Sequence, residues 1–157
     1  MKKEWETVFG KLTYGIYVLT AGRGDAINGM IASWVSQVSY DPPLILAAVH
    51  PNRYSHGLIE SGQAFGLHVL DQGQKSLLKQ FKGPVPADKF SGLSHDTGKT
   101  GVPILKACLA WFELSLKTSV TPGNHTLYIG EVIRCGSNAE GTPLTTLDYE
   151  GMYVGRH

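Results

Sequence analysis

Two short stretches carry residue types suited to ligand chemistry. Asn28-Gly29-Met30-Ile31-Ala32-Ser33-Trp34-Val35-Ser36-Gln37 mixes small, hydroxyl-bearing and apolar residues where a plain strand would use valine and isoleucine. Small side chains let a flat ligand lie against the backbone, whose N–H and C=O groups can read its polar edge. A bulged strand with its serines facing solvent accounts for the same residues. His50-Pro51-Asn52-Arg53-Tyr54-Ser55-His56 follows an apolar run and precedes a helix start. Free N–H groups at a helix N-terminus, a serine hydroxyl and a neighbouring arginine or histidine suit a phosphate. An ordinary turn capped by Ser55, with Arg53 in solvent, fits equally. The two stretches flank one short strand pair, so a ligand with a flat ring and a phosphate can span both.

Other chemistry is excluded by spacing. Gly98-Lys99-Thr100 ends like a phosphate-binding P-loop, but Leu93 stands where its first glycine belongs. Gly22 and Gly24 lead to Ile27 where a dinucleotide fingerprint needs a third glycine. Asn124-His125-Thr126 matches a glycosylation sequon by chance, since no secretory signal precedes it. The six histidines form no metal-binding pattern, and no nucleophile elbow is present.

The elements that must hold these stretches read mainly as strands. Tyr14–Thr20 is short and rich in β-branched and aromatic residues, and Gly22–Asp25 turns the chain. Ile27–Tyr40 reads as one long or bent strand ended by Asp41-Pro42-Pro43, and Leu44–His50 as a buried strand. Ser55 is the expected N-cap of a short helix ending at Gly62, and Ala64–Leu70 alternates as a strand. Asp71 and Gln74 resemble a capping box opening a helix to about Lys82. The stretch from Val85 to Gly101 is long for a connection and lacks a period, which points to a functional or packing role. Trp111–Ser119 and Thr126–Cys135 are strong strands, and Met152-Tyr153-Val154 suggests another. A short amphipathic helix is expected over Glu4–Phe9. Six or seven strands with only short helices imply an antiparallel barrel, closed or nearly so.

Composition narrows the class further. With 157 residues, 42% apolar and 10% aromatic, the chain suits one folded domain over 1–157. Fourteen basic against thirteen acidic residues leave +1, with no basic stripe for nucleic acid and no membrane-length apolar run. Nineteen glycines suit a turn-rich β protein. A charged fraction of 17%, below the usual ~25%, suggests surface hidden in a subunit interface. Cys108 and Cys135 read as reduced structural thiols, and the absent signal peptide points to the cytoplasm.

Taken in order, several segments resemble the flavin reductase-like family with its FMN-binding split barrel. They are Tyr14–Thr20, Asn28–Ser36, Asp41–Leu44, Glu60–Gly66, Thr97–Pro103 and Gly123–Val132, together spanning about residues 12 to 135. The nearest branch is that of archaeal ferric reductase and flavoredoxin. The resemblance implies an antiparallel split barrel, a homodimer, FMN as cofactor and NADPH or NADH as hydride donor. It places Gly29, Met30, Ala32, Ser33, Trp34 and Ser36 along the flavin. His50, Asn52, Ser55 and His56 fall near its phosphate, with Phe81 as a lid contact. His125 matches the family histidine beside the nicotinamide, although Asn124 stands where many members carry aspartate. The implied acceptor is free flavin or a ferric complex. A flavoredoxin-like carrier served by a redox protein, and a non-redox ligand-binding barrel, are the alternatives.

Overall fold

The structure, a computed structural model, describes residues 2–83 and 86–149. Its strands are β1 (Tyr17–Arg23), β2 (Ala26–Ala32), β3 (Val35–Ser39), β4 (Leu44–Val49), β5 (Ala64–Val69), β6 (His95–Thr97), β7 (Pro103–Leu105), β8 (Ala110–Val120) and β9 (Thr126–Ser137). Three short helices, α1 (Lys3–Phe9), α2 (Tyr54–Gly62) and α3 (Lys75–Phe81), complete it. The strand expected at Met152–Val154 lies outside the described residues.

Seven strands form an antiparallel sheet in the order β2-β1-β5-β8-β9-β4-β3. The strands β2 and β3 stand at opposite edges, yet only Ser33 and Trp34 separate them in the chain. The sheet must therefore curl until its edges meet, giving a split barrel with a seam at Ser33–Trp34. The single strand expected over 27–40 is thus two. A backbone bond from Ala48 N–H to the Trp34 carbonyl, 2.9 Å, ties the seam to β4.

Residues paired directly across strands share a face, so register sorts the barrel wall into two sides. The interior row holds Leu19, Ala21, Phe65, Leu67, Leu114, Ala47, Val49 and Tyr128, with Ile59 of α2 packed among them. On the outer side the row reads Thr20, Gly66, Glu113, Arg134. There the long irregular segment, joined by a β6–β7 ladder that its sequence did not announce, lies strapped over the wall. Three polar side chains grip it by its backbone. Thr20 Oγ1 donates to the Pro103 carbonyl at 2.7 Å, and Leu105 N–H donates to His68 Nε2 at 3.0 Å. The buried Glu113 carboxylate accepts from Thr100 N–H at 2.7 Å and Thr100 Oγ1 at 2.9 Å, and pairs with Arg134 at 3.2 Å. A Cβ at Gly98 would lie 2.4 Å from Glu113 Oε1, so only glycine lets this turn approach.

The capping box at Asp71 and Gln74 is present; it opens a 3-10 turn at Gln72–Gln74 that leads into α3. Cys108 is buried, which pushes its thiol up to about 11, whereas Cys135 is exposed on β9.

His68 makes the wall sensitive to acid. Its ring bridges the Val18 carbonyl (Nδ1, 3.0 Å) and the Leu105 amide, and burial lowers its pKa from 6.5 to about 4. Between those values the unfolded chain binds a proton that the folded chain refuses, so stability falls as pH drops. From pH 7 to pH 5 the loss from this group is about 2 kcal/mol. Urea midpoints should fall over that interval, and His68→Asn should show a markedly smaller fall; an equal fall in both would reject this assignment.

Candidate functional site

The seam and the start of α2 meet at one end of β4 and β9, and several of the expected site residues gather there. Val49 pairs with Thr126 at the last rung of the β4–β9 ladder. Beyond that rung the chains end in His50 and His125, whose rings meet edge to face at 5.1 Å. Trp34, from the seam, lies tilted against the His125 ring at 4.7 Å. His125 Nδ1 is 2.8 Å from Asn124 Oδ1, so the Nδ1–H tautomer donates to the amide oxygen and fixes the ring's rotation. On the neighbouring loop Asn52 closes back on the His50 ring, its backbone N–H donating to Nδ1 at 3.2 Å. The seam thus contributes an aromatic side chain to the site as well as its backbone.

The first turn of α2 builds a second cluster beside the first. Arg53 is the N-cap residue and offers no side-chain cap, so Ser55 is not the cap that its residue type suggested. Instead Ser55 is buried inside the first turn and accepts a hydrogen bond from Asn28 Nδ2 at 2.9 Å. That bond joins the two stretches singled out in the sequence. Asn28 Oδ1 is buried, and no donor among the described residues reaches it. Next to it Lys89, only 6% exposed, donates from Nζ to the Gly29 carbonyl at 2.9 Å. Burial lowers the Lys89 pKa, and the nearby Arg53 cation lowers it further. Neither cation forms an ion pair among the described residues.

Not every expected residue joins these clusters. Phe81 is 2% exposed and packs edge to face on Phe90, beneath β2; it is a core residue and not a lid. A Cβ at Gly29 would meet its ring at 2.5 Å, so packing alone accounts for glycine at this position. Met30 and Ala32 face the barrel core, and Ser33 lies half-buried at the seam. Ser36 is exposed and bonds the Gln37 carbonyl at 3.0 Å; it lies instead on the rim of an apolar cavity of about 560 Å³ near the far ends of β4 and β9. His56 turns its Nε2 to Thr126 Oγ1, 2.9 Å away. Asn28 and Arg53 lie in the two stretches that the sequence singled out, whereas Lys89 was not singled out by pattern. Lys89 is a lone lysine in an irregular segment, and that segment's unusual length was its one signal.

The arrangement fits a ligand that carries a phosphate, a hydrogen-bond donor and a flat ring. Two cations repel each other beside an uncapped helix start, which an anion relieves. The buried Asn28 oxygen lacks a donor among the described residues, which a ligand hydroxyl or ring N–H supplies. Among the described residues no group of His, Cys, Asp and Glu is placed to hold a metal ion, and no helix is long and apolar enough to cross a membrane.

Residues 9–155 match the family described as "Flavin reductase like domain". The chain belongs to that family. This flavin reductase-like chain is 37% identical over 148 residues to a high molecular weight rubredoxin of Moorella thermoacetica, covering 92% of itself and 65% of that relative. It therefore spans less than two thirds of that protein's length. It is 29% identical to a ferric-chelate reductase (NAD(P)H) of Archaeoglobus fulgidus, over 94% of this chain and 90% of the other. Among solved structures it is similar to an NADH:FAD oxidoreductase of Streptomyces globisporus in complex with NAD and FAD fragments. There the TM-score is 0.82 at 27% identity, over 90% of this chain and 86% of the other. The family match and the mainly β barrel agree.

Proposed function

We propose that the chain binds FMN and passes hydride from NADPH or NADH to it, delivering electrons onward to free flavin or a ferric complex. The observation that carries this reading is the adjacency of two seats: a ring cluster of Trp34, His50 and His125, and a cation pair of Lys89 and Arg53. The first turn of α2 joins them. Lys89, Arg53 and the uncapped amides of α2 hold the phosphate, while the seam backbone at Ser33 and Trp34 lies along the ring. Bound flavin supplies the hydride acceptor and the electron reservoir. The chain's own residues orient, exclude water and bind; His125 packs the nicotinamide ring into place, since hydride transfer itself asks no proton of it. The NAD(P)H in the name of the Archaeoglobus relative and the NAD in the Streptomyces complex support the donor.

A second reading is an FMN electron carrier reduced by a protein partner. The likeness to a longer protein named a rubredoxin favours it. One experiment separates the two: purify the protein, identify the flavin, and titrate with each nicotinamide under argon. Bleaching by NADPH or NADH supports the reductase. A yellow protein bleached only by dithionite is the carrier, and a colourless one that takes up no flavin defeats both.

The same reading includes a single domain, a homodimer and a cytoplasmic setting. The two free cysteines support a reducing compartment. The apolar cavity is lined by Tyr17, Val35, Leu67, Phe112, Val132 and the exposed Ile133. On α1 no side chain is buried, and Trp5, Val8 and Phe9 are all solvent-facing. An apolar mouth and an apolar helix on one chain are self-complementary between two copies related by a two-fold axis. Light scattering across a dilution series should give twice the chain mass throughout; a persistent monomer rejects the dimer.

A further inference from the structure

His56 and Ser55 sit side by side in the first turn of α2 and reach different walls of the barrel. Ser55 takes the bond from Asn28 of β2. His56 Nε2 lies 2.9 Å from Thr126 Oγ1, which is itself 3.2 Å from Thr121 Oγ1. One turn along, Glu60 accepts from the Tyr128 hydroxyl at 2.6 Å. Burial and that carboxylate both raise the Tyr128 pKa, so this hydroxyl remains a donor. Helix α2 therefore holds the first three residues of β9 at two points, through side-chain bonds additional to the strand ladder.

The placement matters because of where the ladder stops. Thr126 makes the last β4–β9 pair, with Val49, and His125 lies one residue past it. Strand ends beyond their final rung fray unless a side chain holds them. The Asn124 contact joins the His125 ring to the side chain of its immediate chain neighbour, and so moves with the backbone that carries both. The His56–Thr126 bond acts on the adjacent residue, and the His56 ring is braced by Tyr128 at 5.4 Å.

We propose that His56 is a positioning residue for His125. Acting through Thr126, it holds the start of β9 so that the His125 ring stands at a fixed angle between Trp34 and His50. The inference rests on the reading of His125 as the nicotinamide-side residue. It gives His56 a task other than touching the phosphate, to which its sequence position had assigned it.

The test is a double-mutant cycle on the flavin-loaded protein, with bleaching by NAD(P)H followed under argon. Loss of one hydrogen bond at this site should lower the maximal bleaching rate about fivefold in His56→Ala and in Thr126→Val. Flavin affinity and the apparent KM for the nicotinamide should stay within about twofold. His56→Gln, whose side-chain amide can still reach the hydroxyl, should recover most of the rate. In the double variant the losses should not add. Additive losses, an unchanged rate, or a rate loss matched by lost flavin affinity would each overturn the proposal. A readout free of nicotinamide stands beside the kinetics: the His125 Cε1–H resonance should move in His56→Ala and return in His56→Gln. An unmoved resonance overturns the positioning role even if neither nicotinamide bleaches the parent, an outcome that would count separately against the reductase reading.

Discussion

Replacing His125 by alanine slows reduction by NAD(P)H roughly tenfold or more, equal to about 1.4 kcal/mol of barrier, and leaves the bound flavin's spectrum and affinity nearly intact. The expectation follows from what the ring touches. His125 is packed between Trp34 and His50 and bonded to Asn124, and neither Lys89 nor Ser55 touches it among the contacts of either cluster. Its removal empties a place for a second ring without disturbing the seat for the phosphate. Reduction by dithionite, which needs no nicotinamide seat, should proceed at the parental rate. Stopped-flow bleaching under argon measures both. If the variant is bleached by NAD(P)H as fast as the parent, the histidine has no part in hydride transfer, and the carrier reading gains.

The second large effect is expected at Lys89. Lys89→Met keeps an apolar stem in the buried position and removes the cation. A charge-assisted contact to a phosphate contributes about 1.5–3 kcal/mol, so FMN affinity should weaken by about tenfold to a hundredfold. Riboflavin, which lacks the phosphate, should bind parent and variant alike. Fluorescence quenching titrations with the two flavins give the comparison directly. Added salt should weaken FMN binding to the parent more than to the variant, because one ionic contact has gone. Equal losses for FMN and riboflavin would mean that Lys89 supports β2 through the Gly29 carbonyl and does not meet the phosphate.

The two sites show what residue pattern can and cannot disclose. Strands β4, β5, β8 and β9 were legible to within a residue or two, because apolar runs and β-branched residues satisfy burial on at least one face. The break at Ser33–Trp34 was not, since nothing in that stretch opposes extended backbone. The break exists because the two edges of a curled sheet must meet there, which is a property of the whole circumference. Ser55 was misplaced for a related reason. Serine at a helix start satisfies an amide in most proteins, but here Asn28 competes for it from another strand. The β6–β7 ladder was hidden behind turn-like residues, with Pro103 opening a strand whose bonds run to side chains of the wall beneath. Lys89 becomes meaningful only when the irregular segment is laid against Gly29, a contact sixty residues away in sequence. Local chemistry is readable in order along the chain; juxtaposition is not.

The seam has a mechanical consequence. A hoop of seven strands bonded all round widens only by breaking a ladder of main-chain bonds, whereas β2 and β3 share no ladder and meet through two residues. The Ala48–Trp34 bond continues the β3–β4 pairing and so holds the seam on the β4 side. Among the described residues the ladder is therefore interrupted along one line, and Trp34 stands on that line.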